Sequence, residues 1–114
     1  MVVIWSELAI NDLKNYSKNS KMITDGKVKK YLDSLVDYSN SLEFSPELGK
    51  AFLTYNNVII RQLLYKMHRI FYYIENDEII IIQVSHTRRN VNTVIKLIKK
   101  YFLFWYFNFI YGIK

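Results

Sequence analysis

The chain has 114 residues, 51% of them hydrophobic, no cysteine and a formal charge of +6. That is enough apolar material for one domain with a single modest core. It excludes a disulfide framework and thiolate chemistry, and it suits a reducing cytoplasm, the compartment expected here.

The opening "MVVIWSELAIND" carries no basic stretch and meets an acid at Glu7, so it does not read as a secretory signal. Within it Val2 to Trp5 is a short apolar strand, and Ser6 is placed to cap a helix running to about Asn19. A second helix begins near Thr24, because Val28, Tyr31, Leu32, Leu35, Val36, Ser39 and Leu42 recur at steps of three and four. The short stretch "NSKMITDG" between them allows only a tight connection, which makes the two helices antiparallel neighbours. "SPELG", with Pro46 and Gly49, then breaks the helical pattern and reads as a loop.

From Ala51 the period changes. "VIIRQLL", "MHRIFYYI" and "EIIIIQVSH" are rich in β-branched and aromatic residues, and the gaps between them are hairpin-sized. An Asn76–Asp77 turn pairs Glu75 with Glu78, Tyr73 with Ile80, Phe71 with Ile82 and Arg69 with Val84. Strict alternation would then put Arg69 and His86 on one face as diagonal neighbours, an arrangement that a one-residue slip would undo. The expected fold class is α+β: two N-terminal antiparallel helices packed on a small twisted antiparallel sheet of about four strands, plus a C-terminal helix. A helix pair covers only one face of such a sheet, which leaves the other for a partner.

The charge is unevenly distributed. Residues 1 to 78 hold ten Lys plus Arg and all ten Asp plus Glu, so Arg88, Arg89, Lys96, Lys99, Lys100 and Lys114 supply the whole excess. A one-signed terminal third attracts a polyanion or an anionic surface, unless it is merely a solvated basic helix. Other chemistries find little support. Glu75, Asp77 and Glu78 surround a hairpin turn, where acids are common for local reasons. Tyr72 and Tyr73 lack the glycine–aromatic signature of a base-stacking sheet. Two histidines without Cys or a spaced acid set give no metal site, and three isolated glycines give no phosphate loop, so no cofactor is expected.

In order and residues, "VIWSELAINDL", "SPELG", "IIRQLL", "HRIFYYI" and "IIQVSHTRRN" together resemble the RelE/ParE superfamily of toxins from type II toxin–antitoxin systems. The resemblance runs from about Val2 to Asn90 and suggests a toxin-like domain at 1–90 followed by an extension at 91–114. It implies a cognate antitoxin as partner and one of two targets. RelE-like members cut ribosome-bound messenger RNA, whereas ParE-like members poison DNA gyrase. In the first case His86 would act as base or acid, and Arg69, with Lys66, Arg88 or Arg89, would hold the phosphate. Two departures favour the second case. His68 stands where RelE-like strands carry a tyrosine before the arginine, and "NVNTV" follows the last strand where many endonucleases place another tyrosine. "HTRRN" is closer to the ParE-type ending. A non-toxic nucleic-acid-binding module and a membrane-surface protein are the alternatives from other classes.

The segment Tyr101 to Ile113 is outside this resemblance. Its thirteen residues, eleven of them large apolar or aromatic, fall short of the ~20 needed to span a bilayer, although with the lysines before them they could lie in its interface. Folding back on the sheet, or self-association, is the expectation, since an exposed segment of this kind would aggregate.

Overall fold

The computed structural model describes residues 1–19 and 26–111, and in the last helix side chains as far as Leu103. In chain order the elements are β1 (Val2–Trp5), α1 (Glu7–Asn19), α2 (Lys27–Asn40), a 3-10 turn (Ser41–Glu43), β2 (Lys50–Tyr55), β3 (Val58–Tyr65), β4 (His68–Glu75), β5 (Glu78–His86) and α3 (Val91–Tyr111). The connection expected between the two helices falls largely outside the described residues. The helices meet as expected, Tyr16 late in α1 lying 5.8 Å from Tyr31 early in α2, ring to ring.

The sheet has five strands in the order β1-β5-β4-β3-β2. It is mixed, because β1 joins β5 in parallel while the remaining pairs are antiparallel. Two expectations are corrected here: β2 is a strand that the sequence pattern leaves unmarked, and the sheet is not wholly antiparallel. The long connection from β1 to β5, through both helices and three strands, permits the parallel pairing, which a hairpin turn would not. The β2–β3 and β4–β5 turns are Asn56–Asn57 and Asn76–Asp77, all four residues at positive φ. Asn and Asp tolerate that region best among non-glycine residues, which is why these two-residue turns close tightly.

Two cores lie on the two faces. Against the helix pair pack Leu63, Ile70, Tyr72, Ile79, Ile81 and Val84, with Ala9, Leu35 and Leu42 from the other side. On the opposite face Ile60, Phe71, Tyr73 and Ile82 meet Val94, Ile98 and Phe102 of α3. This second face is therefore not left open for a partner, as a helix pair alone would have left it. Burying three such α3 side chains contributes on the order of 5 to 9 kcal/mol before ordering costs, enough to hold the helix down. Among the described residues no helix is long and apolar enough to cross a membrane.

The loop at Pro46–Gly49 is locked by one tyrosine. The buried Tyr72 hydroxyl donates to the Pro46 carbonyl at 2.7 Å and accepts the Gly49 N–H at 2.8 Å. A β-carbon at Gly49 would lie 2.7 Å from the Tyr72 ring and 2.8 Å from the Gln62 carbonyl oxygen, so only glycine fits.

Candidate functional site at the basic end of the sheet

The expected β4–β5 register holds from the turn as far as Tyr72↔Ile81 and then changes. Tyr72 pairs with Ile81 and Phe71 with Gln83, so Ile82 is an extra residue, a β-bulge. Beyond it every β5 side chain sits one position off strict alternation. His86 is opposite His68 and Ser85 opposite Arg69. The expected placing of Arg69 beside His86 is thus corrected: they lie on opposite faces.

Helix α1 accounts for the bulge's location. β1 ends at Trp5, opposite Ile81, and past that point no strand among the described residues lies beside the outer edge of β5. The Ser6 N–H donates to the Ile81 carbonyl at 2.9 Å, and the Ser6 hydroxyl to the Ile82 carbonyl at 2.8 Å. That same hydroxyl accepts the Ala9 N–H at 3.0 Å, the helix cap expected from sequence. Two turns later the Asp12 carboxylate accepts the Val84 N–H at 2.9 Å. Side chains of α1 therefore replace a missing strand.

On the helix-pair face the bulge leaves a cavity of about 210 Å³ lined by Asp12, Asn15, Tyr16, His68, His86 and Arg89, with Leu13, Leu32, Leu35, Val84 and Asn19 completing it. Burial pushes the Asp12 carboxyl up to about 6, the Val84 N–H and the Arg89 charge pulling the other way. Burial, with the nearby His86 second, lowers His68 to about 4, which keeps its ring neutral. Its Nδ1 lies 2.7 Å from the Tyr31 hydroxyl, a phenol that burial raises to about 12. The Tyr16 ring stands edge-on to His68 at 4.8 Å, and His86 does so at 5.4 Å. His68 is thus a wall residue with its polar atom satisfied.

His86 is half-buried and differently engaged. Its Nδ1 accepts the Arg88 N–H at 3.0 Å, and its carbonyl accepts the Arg89 N–H at 3.0 Å. With Nδ1 used as acceptor, a neutral ring carries its hydrogen on Nε2 and offers a donor there rather than a base.

The cations occupy different places at this end. Arg88 and Arg89 are exposed on the turn that leads to α3, whose first turn is capped by Asn90 Oδ1 accepting the Asn92 N–H at 2.7 Å. Lys66, in a left-handed turn position (φ 48°), holds its ammonium 5.5 Å from the Tyr65 ring centre. Arg69, on the α3 face, donates to Gln62 Oε1 at 2.9 Å. Beside it Gln83 and Ser85 are buried with side-chain polar atoms that lack a hydrogen-bond partner among the described residues. No metal-binding group of three His, Cys, Asp or Glu occurs among the described residues. Sequence reasoning missed Asp12 and Tyr16, which share a helix face through their spacing of four and resemble ordinary polar-face residues.

The family profile described as "ParE toxin of type II toxin-antitoxin system, parDE" matches residues 3–91. No curated protein matches the chain. Among solved structures, one titled "Chromosomal ParDE TA system from P. aeruginosa" superposes with a TM-score of 0.60 at 18% identity, covering 75% of this chain and 95% of that one. The profile ends where α3 begins.

Proposed function

The chain belongs to the ParE toxin family of type II toxin–antitoxin systems, and from that premise we propose that it arrests bacterial growth by poisoning DNA gyrase rather than by cutting message. The observation that carries this reading is the bulge at Ile82. Cleavage of RNA through its own 2′-hydroxyl needs an acid or base and a phosphate clamp converging on one phosphorus. Here Arg69 and His86 are on opposite faces of the sheet, and Nδ1 of His86 is taken up by the Arg88 N–H. Arg88 and Arg89, exposed on one turn beside Lys66, are instead suited to binding. Family membership implies a cognate antitoxin, and acidic residues in that partner would suit the same cations. Such a toxin would act in the cytoplasm.

Purified chain added to gyrase and plasmid DNA should cause cleaved plasmid to accumulate. Replacing Arg88 and Arg89 with alanine should reduce that at least tenfold, while His86→Gln changes it little. Codon-positioned cuts in ribosome-bound message, lost in His86→Gln, would overturn the proposal.

A further inference from the structure

The end of the sheet opposite the basic cluster carries the other charge and an exposed apolar surface. Glu75 and Glu78 face each other across the Asn76–Asp77 turn, and Glu47, whose carboxylate lies 4.0 Å from the Arg61 guanidinium, shares an open depression with Arg61 and Glu75. Adjoining it, a second depression of about 470 Å³ is lined by Met1, Ser45, Pro46, Glu47, Leu48 and Ile74. Around it Phe44 is 82% and Leu48 49% exposed. Large apolar side chains rarely cluster in water without a partner.

Helix α3 starts at the basic end and runs toward this one. Phe102 packs 5.1 Å from Tyr73 and 6.0 Å from Tyr55, ring to ring, near the ends of their strands. The helix continues nine residues further, to Tyr111, about 13 Å at 1.5 Å per residue. Only about two strand residues, roughly 7 Å, remain beneath it past Tyr73. By sequence this terminal part, "LFWYFNFIY", has no charged residue. Lys99 and Lys100 stand exposed one turn before it.

We propose that a second copy of this chain covers both features: the end of α3 from each copy lies on the Phe44–Leu48 surface of the other. The symmetry permits it. The apolar surface belongs to the helix-pair face and α3 to the opposite face, so a two-fold axis in the sheet plane, across the strands, carries each projecting helix onto the partner's apolar surface. The same operation brings Lys99 and Lys100 toward the partner's Glu47, which offsets the repulsion between two acidic ends. An anionic membrane is the poorer occupant, because Glu43, Glu47, Glu75 and Asp77 stand exposed at the end from which the helix projects and would be repelled.

The test is sedimentation of the full chain at concentrations from about 5 to about 100 micromolar, a range wide enough for mass action to reveal a dissociating dimer. The expected mass is twice 13.7 kDa. Phe44→Asp with Leu48→Asp, both at exposed positions, should keep the circular dichroism spectrum and return a monomer. Glu47→Lys should weaken association at least tenfold, and Glu47→Lys with Lys99→Glu and Lys100→Glu should recover it. A monomer across the range, a dimer indifferent to the Phe44 and Leu48 changes, or a monomer that sediments with phosphatidylserine vesicles would each overturn the proposal.

Discussion

The two ends of the sheet are built from the same strands and differ in nearly everything else. At the Asn76–Asp77 end, side chains alternate as the pattern dictates, the charges are acidic and the loop beside it is locked through Tyr72. At the other end a bulge has shifted β5 by one residue, α1 side chains stand in for a strand, and the cations gather with two histidines and a carboxyl raised by burial. The regular end closes the fold. The irregular end presents the polar groups.

The sharpest way to break the regular end is Gly49→Val. Its β-carbon would collide with the Tyr72 ring and the Gln62 carbonyl, both held in a packed core. A loss of about 3 kcal/mol or more is expected in urea unfolding, against almost none for Lys27→Ala on an exposed helix surface. At the irregular end Ser6→Ala removes the cap and a donor to the bulge carbonyl together, and should cost about 1 to 3 kcal/mol.

The bulge was the part of the fold least legible in the sequence. Ile79 to Ile82 are four identical side chains, and both faces of β5 are buried, so no polar residue marks where alternation fails. The turn, the Ser6 cap and the helix pair were legible because each has a local chemical cause: left-handed Asn and Asp, a hydroxyl at the first turn, apolar spacing of three and four. β2 was missed as an edge strand with mixed exposure. Of the candidate site, Lys66, Arg69, Arg88, Arg89 and His86 were visible as residue types. Their division between two faces was not, since it depends on one uncounted residue, and Asp12 entered only because a strand edge needed an acceptor.

Asp12 and His68 sharpen the comparison through pH. The native state holds Asp12 near 6 instead of 3.8, so it binds the proton more tightly than the unfolded chain, and this group's contribution falls as pH rises from about 4 to 6. His68 is depressed from 6.5 to about 4; the unfolded chain binds that proton more tightly, and its contribution is lost as pH falls from about 6.5 to 4. The slopes oppose. Asp12→Asn should therefore make stability rise more steeply with pH across this window than it does in the unaltered chain, and His68→Asn should tilt it the other way. Urea midpoints at pH near 4.5 and near 6.5 would show this, and identical slopes in all three proteins would refute the assignment.

The smallest effect expected is at Gln83, whose amide is buried without a partner among the described residues. Gln83→Leu removes two unsatisfied polar atoms at similar volume and should be neutral or stabilise by up to about 1 kcal/mol. A loss of about 2 kcal/mol or more would mean that the amide has a polar role beneath α3.

The most direct test of the division between the ends is made in arrested cells. The chain would be induced in a bacterium lacking its antitoxin, with DNA synthesis followed by thymidine incorporation and the 5′ ends of abundant messages mapped over the same minutes. The account predicts that DNA synthesis stops while message ends stay unchanged, and that Arg88→Ala with Arg89→Ala relieves the arrest where Glu75→Gln with Asp77→Asn does not. New message ends at fixed codon positions, appearing before DNA synthesis slows, would contradict it.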